Sequence, residues 1–453
     1  MKGGPPKGSA GNAVSSRRFA YILASVGIAV GLGNIWRFPY VTGENGGSAF
    51  VAIYLLCTLS IGIPCLMAEL MVGRRGGGSP PRSMAAVARQ SDRSERWMVV
   101  GGMGVLTAYT IAITYAVVVG WVLWYLGRAL LTGFAGFDTS VADSTFAGLL
   151  GDSQSMVIWT LIGNLIVGGI IYAGIQSGIE RAVTIMMPLM FALLIGLSIY
   201  NYFAGGFVET LQWLFTPDFS KVTGATFLAA VGQAFFSIGV GMGGMMTYGA
   251  YLPRDFSIAK GAATIVMADT LVAVLAGFVV FPAVFHFGLD MASGPGLIFQ
   301  TLPVAFAQMP GGGVFSVLFF VMLAVAGVTS MVGLLESVTS WTQEKLSVSR
   351  QRSTLLVVGS VTSLSVISVL SYNVWEDYRL LGMNFNELTE ALYDKVLLPL
   401  AGLLVALFTG WFMHREHSED ELRDDLKWFG LWRGLTRWIV VPAVALILIT
   451  GLL

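Results

Sequence analysis

Asn34, Ser237 and Asp269 put oxygen-bearing side chains into stretches that are otherwise apolar, and another apolar stretch, AVAGVTSMVG, carries Thr329 and Ser330. Polar groups at bilayer depth are expensive, so each needs a role. Hard oxygen donors beside carbonyls released at a helix break are what an alkali cation needs to replace its hydration shell. A carboxylate as deep as Asp269 needs a cation or a proton, whereas Thr329 and Ser330 have a plainer alternative in helix–helix hydrogen bonding. Arg37 and Glu390 are opposite charges near the ends of two apolar stretches, suited to closing a passage or to a static pair. Glu69 and Glu336 lie deep in theirs, where a carboxylate can accept from backbone amides freed by a break. Tyr115, Phe236 and Met242 suit an apolar pocket, and equally suit ordinary packing.

The elements that must position these groups are unusual helices. Gly27–Tyr40 reads GIAVGLGNIWRFPY, in which Gly27, Gly31 and Gly33 let the backbone leave helical angles. Opened backbone in a bilayer is tolerated only where it lines a protein cavity. Ser237–Gly244 (SIGVGMGG) repeats the theme, identical to GIAVGLGN at four of eight positions. Glycine-interrupted apolar segments in corresponding halves of a chain point to the midplane binding site of a secondary transporter.

The 453 residues are 55% hydrophobic and only 11% charged, with mean hydropathy +0.75. Soluble domains carry about 25% charged residues, so this chain belongs in a membrane. Nothing in the composition suggests a nucleic-acid partner. Cys57 and Cys65 read as small apolar residues rather than a disulfide. Eleven hydrophobic segments are long enough to span, at 18–42, 48–73, 97–131, 156–174, 179–203, 226–250, 261–287, 313–345, 354–371, 387–413 and 434–453. Basic residues gather at one side: Arg17, Arg18, Arg74, Arg75, Arg82, Arg89, Arg93, Arg96, Arg254, Lys260, Lys345, Arg350, Arg352 and the run from Arg415 to Arg437. By the positive-inside rule that side, with the N-terminus, is cytoplasmic, and an odd span count puts the C-terminus outside. Residues 1–16, rich in Gly, Pro, Ser and Lys, are expected to be a disordered cytoplasmic N-terminus. The expected fold is an all-α integral membrane protein with eleven transmembrane helices, a five-plus-five inverted repeat in which helices 1 and 6 are broken. The first repeat covers 17–203, the second 204–413, and 414–453 holds a cytoplasmic loop and the eleventh helix.

GLGNIWRFPY at Gly31–Tyr40, ENGGSAF at Glu44–Phe50, VGQAFFSIGVGMGG at Val231–Gly244 and AGVTS at Ala326–Ser330 resemble the neurotransmitter:sodium symporter family, in its bacterial eleven-helix amino-acid transporter branch. The resemblance implies sodium-driven uptake by alternating access, with two sodium ions. It implies a first sodium site at Ala29, Asn34, Ser237 and Asp269, completed by the substrate carboxylate. A second is implied at the carbonyls of Gly27, Val30 and Ala326 and the hydroxyls of Thr329 and Ser330. The substrate carboxylate is expected at the Leu32 and Gly33 amides and the Tyr115 hydroxyl, and its ammonium near Ala29, Phe236 and Ser237. Monoamine carriers of the family hold an aspartate where this chain has Gly31, so the substrate is expected to bring its own carboxylate. The side-chain pocket is implied at Ile28, Ile111, Phe236, Gly239, Met242, Ser330 and Leu334, without a charged residue, which favours bulky apolar side chains. The family's chloride position corresponds to Tyr54, Gln233, Ser237, Asp269 and Ala273. An aspartate at 269 supplies the negative charge itself, and chloride-independent transport follows. The outer gate is implied at Arg37 and Glu390 with Tyr115 and Phe236 as a lid, the inner at Tyr251 and Glu344. Gly178 and Pro188 resemble the family's unwinding motif in span 5.

The resulting expectation is a symporter, not an enzyme, for aromatic and branched aliphatic L-amino acids in a prokaryotic plasma membrane, surrounded by lipid as a monomer or weak homo-oligomer. Its rivals are a non-transporting amino-acid sensor and a symporter for small neutral amino acids. His286, His414 and His417, all near span ends or loops, form no evident catalytic set.

Overall fold

Long apolar runs without internal breakers become continuous helices, and runs with clustered glycines become interrupted ones. The computed structural model describes residues 23, 25–27, 29–289 and 294–452. The expected disordered N-terminus 1–16, Arg17, Arg18 and Ile28 lie outside the described residues. In chain order, a π-turn at Gly33–Arg37 leads into α1 (Phe38–Glu44), followed by α2 (Ser48–Gly76), α3 (Pro80–Gln90), α4 (Met98–Thr132) and α5 (Thr139–Gly151). Then come α6 (Ser153–Tyr172), a π-turn at Ile175–Glu180, α7 (Arg181–Ala204), α8 (Phe207–Phe215), α9 (Gly224–Ile238) and α10 (Gly244–Ala250). The rest comprises α11 (Ile258–Phe287), α12 (Leu302–Gln308), α13 (Gly312–Leu346), α14 (Arg350–Leu370), α15 (Phe385–Phe412), α16 (Arg415–Glu421) and α17 (Leu426–Gly451). Among the described residues nine helices are long and apolar enough to cross a membrane, α4 and α13 being the most enclosed.

Several expected boundaries move. The sixth expected segment, 226–250, is split into α9 and α10 at its expected break. The last begins at Leu426 rather than 434, because LKWFGLWRGL mixes basic residues with its aromatics and falls below an apolar threshold. The connections at 133–155 and 293–313 hold helices of their own, α5 and Leu297–Gln308. Asp138 caps α5 by accepting from the Val141 N–H, which holds its carboxyl below the usual carboxylate range.

The two interruptions are built differently. In the first, helix gives way to bends at Val30 and Gly31, and the freed Gly31 amide donates to Asn34 Oδ1 at 3.0 Å. In the second, Gly239, Gly241 and Gly243 take φ of +74°, +82° and +68°, angles that a side chain would strain. The Gly241 amide, freed in turn, donates to Glu69 Oε1 at 2.6 Å from α2, as a buried carboxylate near a break should. Neighbouring helices then close on this loop at glycines. A Cβ on Gly104 of α4 would come within 2.9 Å of the Gly243 nitrogen, and one on Gly241 would come within 2.6 Å of the Leu398 carbonyl oxygen of α15.

Candidate functional site

The polar groups singled out in the sequence converge where the two interruptions meet. Asn34 Nδ2 donates to Ser237 Oγ at 2.9 Å, to the Asp269 carbonyl at 3.0 Å and to Asp269 Oδ1 at 2.7 Å. Ser237 Oγ donates to Asp269 Oδ2 at 2.8 Å, and the Tyr54 hydroxyl donates to the same oxygen at 3.4 Å. Asp269 is wholly enclosed. A buried carboxylate among neutral donors is a ready cation ligand, since no basic side chain bonds to it here. Ala29, buried in the last turn before the first bend, stands close to this cluster in sequence.

A second set of oxygens lies where α13 crosses the first bend. Ser330 Oγ donates to the Val30 carbonyl at 3.4 Å, and Thr329 Oγ1 lies 3.1 Å from the Ala326 carbonyl and 3.0 Å from that of Val325. Gly27 faces α7 instead: a Cβ there would sit 3.3 Å from Met187 Sδ. Between the two sets, Tyr115 Oη accepts from the Leu32 amide at 3.2 Å, so amide and hydroxyl already stand side by side. Gly31 has no room for more: a Cβ there would overlap Ser330 Oγ and come within 3.1 Å of Tyr115 Oη. Gly33 packs against the Phe236 ring, and Ile111, Met242 and Leu334 are buried apolar walls with Gly239 opening the second break.

A family model described as the sodium:neurotransmitter symporter family matches residues 13–139 and 150–449. The chain belongs to the sodium:neurotransmitter symporter family. An uncharacterized sodium-dependent transporter from Haemophilus influenzae is 32% identical over 447 residues, covering 96% of this chain and 97% of the relative. The uncharacterized sodium-dependent transporter YhdH from Bacillus subtilis is 31% identical over 434 residues, covering 95% of each. The crystal structure of MhsT in complex with L-phenylalanine superposes with a TM-score of 0.88 at 35% identity, covering 96% of this chain and 98% of that one. This symporter is therefore a sodium-dependent multi-pass membrane transporter with the all-α fold of MhsT, and not an enzyme.

The symporter's charged closures differ from the expected ones. Arg37 does not pair with Glu390. It pairs in a two-pronged geometry with Asp394, Nη1–Oδ1 at 3.2 Å and Nη2–Oδ2 at 3.4 Å, with its guanidinium 4.4 Å from the Phe236 ring centroid. Glu390, four residues earlier, accepts from Asn386 Nδ2 at 3.1 Å. Asp394 lies one turn on from Glu390, inside a π-turn at Leu392–Leu397. Arg37 itself closes the π-turn at Gly33–Arg37. The pair floors a vestibule of about 690 Å³ lined by Trp36, Trp121, Phe146 and Tyr372 as well as Tyr115 and Phe236.

At the opposite end Tyr251 donates to Glu336 Oε1 at 3.2 Å, and Arg350 grips both oxygens of Glu336 at 3.1 and 2.5 Å. Glu336 thus serves an ion pair and not a freed amide. Glu344 accepts from the Ser79 amide and hydroxyl and lies 3.7 Å from Arg82. Arg350, which also donates to the Ile171 carbonyl, and Asp394 are the residues that sequence reasoning missed. An arginine opening an apolar helix was a usable signal for the first; for the second, nothing in the sequence favours Asp394 over Glu390. Gly178 lies in the π-turn before α7, where a Cβ would overlap the Ile170 carbonyl oxygen, and Pro188 lies inside α7.

Proposed function

We propose that this symporter takes up hydrophobic L-amino acids, aromatic and branched aliphatic, coupled to two sodium ions and without need of chloride. The observation that carries the reading is the closed contact between Gly31 and Ser330 beside a pre-paired Leu32 amide and Tyr115 hydroxyl. The scaffold has no room for a carboxylate of its own there, and it offers donors to one that arrives with the substrate. MhsT, crystallised with L-phenylalanine, supports the class of ligand. Ile111, Phe236, Met242 and Leu334 surround the side chain with apolar surface, and the thioether of Met242 adapts to bulky shapes.

In this reading Asn34, Ser237, Asp269 and the Ala29 carbonyl hold the first sodium with the substrate carboxylate. Cation entry turns Asn34 so that its oxygen replaces the amide nitrogen now facing Asp269. Gly27, Val30, Ala326, Thr329 and Ser330 hold the second. The fixed charge of Asp269 takes the part chloride plays elsewhere. Asp394 closes the outer side on Arg37. The basic end of the helices faces the cytoplasm, and the repeats divide near residue 203.

Uptake of labelled tryptophan, leucine and alanine into proteoliposomes under an inward sodium gradient tests this. Sodium-dependent tryptophan and leucine uptake that ignores chloride is the expected result. Uptake of alanine alone overturns the pocket; binding without uptake makes the protein a sensor.

A further inference from the structure

A second cavity, of about 420 Å³, lies on the far side of the Arg37–Asp394 pair from the vestibule. Arg37, Tyr40, Asp394 and Lys395 line both, so the ion pair is the partition between them. Helix α9 divides its residues accordingly. Phe236 faces the vestibule, while Gly232, Gln233 and Phe235 face the lateral cavity, whose remaining wall is α15 and α17.

Two of its walls descend towards the first sodium cluster. Along α1 the lining runs from Asn45 and Glu44 through Val41 and Tyr40 to Arg37, three residues from Asn34. Along α9 it runs from Leu228 and Ala229 to Gly232 and Gln233, one turn from Ser237. At 1.5 Å per residue each wall covers on the order of 10 Å. At the bottom stands Gln233. Its Nε2 donates to the Gly33 carbonyl at 3.0 Å, the residue is 1% exposed, and its Oε1 has no hydrogen-bond partner among the described residues. A buried acceptor without a donor is costly unless something visits it. The ionised groups balance, Glu44 and Asp394 against Arg37 and Lys395, so the cavity does not repel a cation, and its oxygens offer successive ligands.

We propose that sodium reaches and leaves the first cation site from the outer side through this lateral cavity, with Gln233 Oε1 as the last ligand before Asn34, Ser237 and Asp269. The amino acid uses the vestibule. This rests on the assignment of the first sodium site above. Sodium can then exchange while the vestibule is filled, and the Arg37–Asp394 pair keeps the two routes apart.

Gly232 gives a clean handle, because a Cβ there meets nothing within 4 Å and the residue lines the lateral cavity only. In purified protein, Gly232→Leu should slow sodium association, followed by tryptophan fluorescence after rapid mixing, about tenfold, a barrier rise of about 1.4 kcal/mol. Equilibrium sodium affinity and phenylalanine binding at saturating sodium should stay within about twofold, which also reports that the variant folds. Ala229→Phe on the same wall is a second plug, and Val118→Trp fills the vestibule as the contrasting variant. With sodium and phenylalanine bound, an external cationic thiol reagent should still modify Gly232→Cys while Val118→Cys is protected. The route is overturned if both plugs leave sodium association unchanged, or if Val118→Trp alone slows it. Failure of the site assignment reads differently: equilibrium binding of radioactive sodium would then be untouched by Asp269→Asn.

Discussion

Asp394→Asn is the perturbation that tests the outer closure. Arg37 and Asp394 make two nearly parallel contacts at 3.2 and 3.4 Å, with side chains 24% and 43% exposed. At that separation and an effective dielectric of about 20 the gross Coulomb attraction is roughly 5 kcal/mol. Partial exposure and the ordering of two side chains remove most of it, leaving about 1 kcal/mol net, and the two-pronged geometry favours the upper end of that range. If the pair forms only in the closed state, its loss raises the open fraction about fivefold. Glu390, held by Asn386 and not touching Arg37, contributes under about 0.5 kcal/mol. The assay is the rate at which an external reagent modifies a cysteine beneath the pair, Ile111→Cys in the proposed pocket; the native Cys57 and Cys65 are both buried. Asp394→Asn should raise that rate about fivefold and Glu390→Gln by less than about twofold. Exchanging the charges, Arg37→Asp with Asp394→Arg, should recover part of the closure. An effect of Glu390→Gln equal to or larger than that of Asp394→Asn would refute the pairing.

Asp269→Asn should make transport chloride-dependent or abolish it; full activity of that variant in chloride-free medium would sink the account of Asp269 as a built-in anion. Gly178→Ala drives a methyl against the Ile170 carbonyl oxygen, an overpacking strain of about 1–3 kcal/mol. Turnover should fall several-fold while phenylalanine affinity barely moves, and unchanged turnover counts against a role for the π-turn before α7. Glu421→Ala leaves the buried Arg74 without its counter-charge, with only backbone carbonyls such as that of Phe256 to bond; Arg74 Nε lies 2.6 Å from Glu421 in a pair that is 4% and 1% exposed. Stability measured by denaturation in detergent should drop by about 3–5 kcal/mol, and Arg74→Met with Glu421→Leu should restore most of it. A loss under about 1 kcal/mol in the single variant contradicts that estimate.

The sequence announces what its physics makes expensive. Asn34, Ser237 and Asp269 stand out because oxygen donors in apolar runs need partners, and all three are found bonded together. Gly239, Gly241 and Gly243 stand out because only glycine adopts their angles cheaply, and α9 ends where they begin. Glu69 was readable for the same reason. Asp394 was not, because it lies one turn beyond Glu390 on the same helix and both are acidic, so the sequence alone does not say which of them meets Arg37. The grip of Arg350 on Glu336 depends on how the short link between α13 and α14 turns back, which no local pattern encodes. The lateral cavity is a gap among four helices and has no signature in any of them.

The second break is hemmed in by backbone on both flanks, with Gly104 against Gly243 on one side and the Leu398 carbonyl 2.6 Å from where a Gly241 side chain would begin on the other. A lineage carrying this chain therefore has little freedom at the point where substrate is proposed to be held by its common parts. In the pocket proposed above, drift in diet then falls to the side chains of its walls, Ile111, Met242 and Leu334. New substrates should then arise by single exchanges at those positions, and repeated changes there across a clade would record its nutritional history.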